Sequence, residues 1–314
     1  MKRGFVTIAT GDERYYRMAR NLLRSYRQNC KQPVRFALIA DRHNEYTAEF
    51  DDVVILEHPS HSWMDKLELL KCCPYEENIF IDADCLVYQD ISFLWELFEG
   101  ADDFSCFGSA LPMDAEGGWF TRDVEKLYPI QFITHLHGML YFIRRGKSVL
   151  EMDRLCQKII SDYHSISFKA FNDVLADEPV FALAMAIMGM KPIARKPEYY
   201  CFVPFATRLM TDYRKRQVSY TNPKDGNVEG CCIVHWGNKN TQKAQYKADS
   251  HKLNYGYPGS TGAGQKIVSF FLHRLNLLYC LYVLEDYGKA VSDWMQWFFE
   301  RLRVKIGKII GNKR

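Results

Sequence analysis

The chain has 314 residues, 47% hydrophobic and 25% charged, with a net charge of +3. That length and balance suit one large α/β domain with embellishments, or a domain plus a tail. The charge is too small to argue for nucleic acid, and no basic-aromatic stripe stands out. The ten cysteines include adjacent pairs, Cys72-Cys73 and Cys231-Cys232, but no C-x-x-C spacing. Cys85, Cys106, Cys201 and Cys280 sit in apolar contexts, which argues against zinc and for reduced, buried thiols.

Gly4 to Thr10 reads as a first strand, and it begins close behind Met1 without a leader or an apolar stretch long enough to span a bilayer. A cytoplasmic location is the expectation. Gly11-Asp12 breaks the strand, and the spacing of Met18, Leu22 and Leu23 predicts a helix from Glu13 to Gln28. Strands are predicted over Val34 to Ala40 and Val53 to Leu56, with a polar loop and short helix over Asp41 to Phe50 between them. A helix follows from Trp63 to Cys72 and ends near Pro74. The next strand, Asn78 to Ile81, runs into Asp82-Ala83-Asp84.

Beyond it, Phe104 to Phe107 and Met139 to Ile143 read as strands, Met113 to Pro129 as a loop, and Lys147 to Tyr163 and Pro179 to Met188 as helices. Cys231 to His235 reads as a late buried strand. Alternating strands and helices predict a mainly parallel sheet with helices on both faces, which takes ligands at the carboxyl ends of its strands. The expected domain spans residues 1–262, followed by a helical region over 263–314. In that region Trp294, Trp297, Phe298 and Phe299 stand among Arg301, Arg303, Lys305, Lys308, Lys313 and Arg314. Such a helix suits an anionic membrane surface, or it packs its aromatics on the domain.

Chemistry concentrates in a few places. Residues i and i+2 of an extended chain point the same way, so Asp82 and Asp84 can converge. Two buried carboxylates repel each other, and a divalent cation resolves the conflict. His235, at the end of the late strand, is a candidate third ligand, and Gly237 beside it lets backbone approach a ligand closely. Lys239 offers a point charge to phosphate. Thr10-Gly11-Asp12, with Tyr15 and Tyr16 at the junction of first strand and first helix, can hold a nucleotide.

With these residues in view, the chain resembles glycosyltransferase family 8 and its relatives of the GT-A fold. The resemblance rests on FVTIATGDERYY near the start, on KLELLKCCPYEENIFIDADCLVYQDISFLWEL, on LADEPVFALAM and on HWGNK. It implies a Rossmann-like nucleotide-diphospho-sugar transferase fold, with Mn²⁺, or Mg²⁺ in its place, bound by Asp82, Asp84 and His235. It implies a UDP-sugar donor whose base meets Thr10, Asp12 and Tyr16. The donor's diphosphate and sugar would meet Lys66, the Asp82-Ala83-Asp84 segment, Gly237 and Lys239. Asp177 and Glu178 would stand beside the reacting sugar.

The chain departs from the family in two places. The usual H-x-x-G-x-x-K-P-W is compressed to H-W-G-N-K, which leaves Lys243 as an alternative to Lys239. The usual N-A-G is replaced within His135-Leu136-His137-Gly138, where His137 either takes the place of the missing Asn or is structural. Trp119 and Trp236 are candidates for the acceptor side.

The expected reaction is retaining transfer of a hexosyl group from a nucleotide sugar to a glycan or lipid-linked hydroxyl, in bacterial polysaccharide assembly. A haloacid dehalogenase-type phosphatase also begins from strand-D-x-D, but there the motif lies near the N-terminus. A sugar nucleotidyltransferase would carry a glycine-rich basic loop after the first strand, which ATGDERYYR lacks. A non-catalytic glycan-binding protein of the same fold is the remaining alternative.

Overall fold

The computed structural model describes residues 3–112, 124–163, 175–255, 279–289, 291–292 and 294–297. The chain divides into two compact units. The first comprises residues 1–210 and 215–237, and the second 211–214 and 238–314. The expected boundary between residues 262 and 263 lies outside the described residues, as do Trp119 and most of the expected basic tail.

In the first unit the chain opens with β1 (Arg3–Ala9), α1 (Glu13–Asn29), β2 (Arg35–Ala40) and β3 (Asp52–Ile55). A 3-10 segment (Trp63–Glu68) then runs into α2 (Leu69–Cys72), where a single helix was expected. Next come β4 (Glu77–Ile81), β5 (Cys85–Val87), α3 (Phe93–Leu97), β6 (Phe104–Pro112), α4 (Val124–Leu127), β7 (Phe132–Arg144), α5 (Lys147–Ser161) and α6 (Asp177–Met188). The remaining strands are β8 (Tyr200–Phe202), β9 (Thr207–Asp212), β10 (Gln217–Asn222), β11 (Gly226–Glu229) and β12 (Ile233–His235).

The central sheet has the order β3-β2-β1-β4-β7-β6. Its first four strands are mutually parallel, while β7 runs antiparallel to both β4 and β6. The sheet is therefore mixed, with the parallel part as expected. Both faces are covered, because successive residues of a strand face opposite ways. In β1, Phe5 meets Tyr26 of α1 and Trp95 of α3. Val6, its neighbour, joins the opposite core, which includes Phe80, Tyr141, Met152, Phe181 and Met185.

That second core explains α6. Its residues Val180 to Met185 are fully buried, so it is apolar all round, and it packs between β7 and α5. Burial of Phe181 alone, against Phe104 and Tyr141, is worth about 2 kcal/mol or more.

Two small sheets complete the first unit's architecture. One runs β11-β10-β9. The other sets β12 between β5, antiparallel, and β8, parallel. Its strands have three residues each, yet it decides where the chemistry sits. In the second unit, a 3-10 turn (Asn238–Gln242) precedes α7 (Ala244–Tyr255). There Ala244 N–H donates to Asp286 at 2.8 Å, and Lys247 pairs with Asp286 at 3.3 Å. Among the described residues, no helix is long and apolar enough to cross a membrane.

Candidate active site

The acidic pair leaves the sheet through a turn. Asp82 N–H donates to Met139 O at 2.9 Å, which keeps the residue tied to β7, and Cys85 N–H returns to Asp82 O at 3.0 Å. Asp82 and Asp84 thus converge across a tight turn, where an extended strand was expected. The chain then enters β5, which pairs with β12 so that Cys85 faces His235. Trp236 N–H donates to Asp84 O at 3.2 Å and fixes the crossing. The small sheet in this way carries His235, 151 residues on, to the carboxylates: its Nε2 lies 3.1 Å from Asp84 Oδ1 and 3.7 Å from Asp82 Oδ2.

All three side chains are about 85% buried. Burial works to raise both carboxyls. For Asp82 that effect, joined by the charge of Asp84, prevails over Lys66 and lifts the group. For Asp84, burial is outweighed by His235 and Lys66, and the group is held below its ordinary value. Burial disfavours a charged His235, but the two carboxylates outweigh it and raise the imidazole.

A divalent cation fits this donor set. Asp84 Oδ1 is buried and lacks a hydrogen bond although His235 Nε2 is near, an arrangement that a shared cation satisfies. Two carboxylates and an imidazole are hard and borderline donors suited to Mn²⁺ or Mg²⁺. The Cys85 thiol also lies within 4.8 Å of the Asp84 and His235 donor atoms. Burial drives that thiol well above its ordinary value, and its soft sulfur suits Mn²⁺ or Mg²⁺ less than oxygen donors do.

Next to the acidic turn stands Lys66, delivered by the 3-10 segment that Ser62 caps by accepting from Met64 N–H at 3.2 Å. Its ammonium touches both oxygens of Asp82 and donates to Gly138 O at 3.1 Å. It also lies 3.5 Å from Asp177 Oδ2. Burial alone would lower the Lys66 ammonium, but Asp177, Asp82 and Glu178 more than compensate and it is held firmly charged. Asp177 and Glu178 open α6, where carboxylates favour the helix start. Both face inward. Tyr141 hydroxyl donates to Asp177 at 3.0 Å, and Glu178 Oε1 accepts from Gly138 N–H at 2.6 Å. Burial and the Asp177 charge push the Glu178 carboxyl up to about 7.

Gly138 is therefore clamped at both ends of its peptide frame. A Cβ here would lie 2.6 Å from Glu178 Oε1 and 2.8 Å from the Tyr141 hydroxyl, so only glycine admits this approach.

At the carboxyl end of β1 the expected nucleotide residues divide. Thr10 Oγ1 donates to Asp65 at 2.7 Å. Asp65 is buried and also accepts from Ser60 N–H and hydroxyl, each at 2.6 Å, and from His61 N–H at 3.1 Å. It thereby ties the loop before Lys66 to β1. Asp12 is exposed and caps α1, accepting from Arg14 N–H at 2.8 Å. Tyr16 is fully buried; its hydroxyl donates to Asp41, and Arg42 lies over its ring. Burial and Asp41 raise the Tyr16 hydroxyl to about 12.

Asp41 also accepts from Gly11 N–H at 3.1 Å, and His61 Nδ1 lies 3.8 Å away. Burial opposes its charge, but the Tyr16 hydroxyl, the Gly11 amide and Arg42 hold it below its ordinary value. The sequence reading passed over Asp41 and Asp65. Asp41 carried a usable signal, since it follows the apolar β2 as Asp82 follows β4. Gly237 adopts φ +68, a left-handed conformation natural to glycine, directly after Trp236. Lys239 and Lys243 belong to the second unit.

No protein-family model matches the sequence, and no curated protein matches it. Among solved structures, the bifunctional glycosyltransferase WbbM aligns over 84% of this chain and 52% of its own, at 10% identity and a TM-score of 0.52. This chain thus spans about half of WbbM. The galactosyltransferase LgtC, solved with donor and acceptor sugar analogs, aligns over 76% of this chain and 91% of its own, at 14% identity and a TM-score of 0.48. The glycosyltransferase GlyE of Streptococcus pneumoniae TIGR4 aligns over 64% and 46%, at 14% identity and a TM-score of 0.42. The mixed sheet flanked by helices is the GT-A fold of its glycosyltransferase neighbours.

Proposed function

We propose that this chain is a metal-dependent glycosyltransferase that moves a hexosyl group from a nucleotide sugar, a UDP-hexose, to a hydroxyl of a glycan or lipid-linked acceptor, with retention. The reading rests above all on one observation: Asp82, Asp84 and His235 meet beside Lys66, Asp177 and Glu178. The cluster stands at the carboxyl end of β4, where parallel sheets take their ligands.

A divalent cation held by Asp82, Asp84 and His235 would supply Lewis-acid neutralisation of the donor diphosphate. Lys66 brings a fixed, nearly buried positive charge to the same place, where it stabilises charge developing on the departing phosphate oxygen. Its contacts to Asp82 and Gly138 O preorganise the ammonium, so little reorganisation is needed as that charge forms. Asp177, oriented by the Tyr141 hydroxyl, places a carboxylate where it stabilises oxocarbenium character at the sugar carbon.

Glu178 Oε1 is engaged by Gly138 N–H, which makes that oxygen less available as a nucleophile. This contact favours a same-face ion-pair path to retention over a covalent adduct at Glu178. The Asp41–Gly11 and Asp65–Thr10 contacts brace the end of β1, where the nucleoside would lie.

The helical residues 279–289, 291–292 and 294–297 support a peripheral membrane contact for the second unit. Leu281, Leu284, Tyr287, Val291 and Trp294 are exposed there at helical spacing, and the basic residues Arg301 to Arg314 follow in sequence. That arrangement matches an interfacial helix at an anionic surface.

The test is Mn²⁺-dependent release of UDP from a panel of UDP-hexoses, with water or simple sugars as acceptor. Release by the native protein and its loss in Asp84→Ala is the expected result. Release that persists in the folded variant contradicts the reading.

A further inference from the structure

Two cations have a claim on Asp82. The donor set that fits a divalent ion takes one of its carboxylates from this residue, and an ammonium of the protein already engages that carboxylate. Lys66 Nζ lies 2.9 Å from Asp82 Oδ1 and 3.0 Å from Oδ2, so it holds both oxygens. His235 Nε2 lies 3.7 Å from the same Oδ2. The partner carboxylate is placed differently. Asp84 Oδ1 stands 3.1 Å from His235 Nε2 and is buried without a hydrogen bond. The chain thus pairs one of its two ligand carboxylates with its own lysine and leaves an oxygen of the other to be satisfied.

The ammonium has an alternative anion within reach. Asp177 Oδ2 lies 3.5 Å from Lys66 Nζ, and Gly138 O accepts from it at 3.1 Å. Gly138 is anchored in turn, since its N–H donates to Glu178. The Phe80 ring, with its centroid 5.7 Å from the ammonium, offers no competing polar atom. A lysine stem is flexible and its three donors rotate. Leaning toward Asp177 therefore keeps the ammonium on Gly138 O and beside a carboxylate throughout.

Two cations on one carboxylate repel each other, and water screens that repulsion poorly where Lys66 and Asp82 are nearly buried. We propose that Lys66 is a resident cation that competes with the divalent metal for Asp82, so that loading the metal obliges the ammonium to release an oxygen of Asp82 and lean toward Asp177. Affinity for the metal alone is then low. The diphosphate of a nucleotide sugar gives the ammonium a further anion and relieves the conflict, so metal and donor load together. This inference rests on the metal-dependent reading and adds to it the order in which the site fills.

Mn²⁺ titration of the full chain tests it, read as loss of the free-ion paramagnetic resonance signal, with Asp84→Ala as background. Lys66→Gln removes the charge and keeps an amide that can donate to Asp82 and Gly138 O, while Lys66→Arg keeps the charge. With Mn²⁺ alone, Lys66→Gln is expected to bind on the order of tenfold more tightly than the native chain, and Lys66→Arg to stay within about threefold of it. UDP should tighten Mn²⁺ binding more in the native chain than in Lys66→Gln. Equal or weaker Mn²⁺ binding by Lys66→Gln overturns the competition. An equal gain in Lys66→Arg also overturns it, because shape rather than charge would then be the cause. If Lys66→Gln does not fold without metal, Mn²⁺ should restore its native circular dichroism spectrum, and failure to restore it counts as refutation. The metal-dependent reading fails by a different sign: neither the native chain nor Lys66→Gln binds Mn²⁺ above background, with or without UDP.

Discussion

The ammonium of Lys66 straddles the carboxylate of Asp82, 2.9 Å from Oδ1 and 3.0 Å from Oδ2. Both groups are about 85% buried, and Asp177 is a second anion at 3.5 Å. Removing one partner of such a pair strands a buried charge. Lys66→Met, which keeps most of the stem, is therefore expected to lower stability by about 3 kcal/mol or more in a urea titration with chelator present. Mn²⁺ should recover part of the loss, since it would neutralise the stranded carboxylates. A loss below about 1 kcal/mol would mean that water already screens the pair.

Glu178 sets a pH dependence of opposite sign to that of a salt-bridged carboxylate. Its carboxyl is raised from 4.5 to about 7 by burial and by Asp177, so the folded chain holds the proton more tightly than the unfolded chain does. The stability this adds is present below the unfolded value and is lost as pH climbs through the folded one. Glu178→Gln fixes the neutral form. The variant is expected to exceed the native protein by on the order of 3 kcal/mol near pH 8, and to converge with it near pH 5, in metal-free buffer. Parallel stability curves across that range would refute the assignment.

The sequence disclosed the frame of this site better than its supports. β1, α1, β2 and β4 follow from apolar runs and helical spacing, so Thr10 and Asp82 could be placed at strand ends. His235 stood out for the same reason. Asp65 did not, because its partner Thr10 is joined to it only by tertiary packing. The three-residue strands β5 and β8 give no alternation to read, yet their pairing with β12 brings His235 to Asp84. The Thr207–Asp212, Gln217–Asn222 and Gly226–Glu229 strands were equally hidden, being short and largely polar. Asp12 looked like a ligand for the nucleotide, and its visible role is to cap α1. Local sequence cannot separate a cap from a ligand, since both favour an aspartate at the start of a helix.

The exposed stripe over Leu281, Leu284, Tyr287, Val291 and Trp294 leads to a membrane prediction. The native protein is expected to sediment with vesicles containing phosphatidylserine, and less so as salt rises. Deletion of residues 293–314 should leave it in the supernatant. Co-sedimentation unchanged by the deletion would remove residues 293–314 from any membrane contact.

The most direct measurement is thermal melting with UDP-, GDP-, ADP- and CMP-sugars, each with and without Mn²⁺, on the native protein and on Asp84→Ala. A ligand that binds only the folded state raises the melting point by mass action. The prediction is a rise that requires a UDP-sugar and Mn²⁺ together and that vanishes in Asp84→Ala. No rise with any nucleotide sugar, or an equal rise in the variant, would contradict the assignment of Asp82, Asp84 and His235 to a metal-dependent donor site.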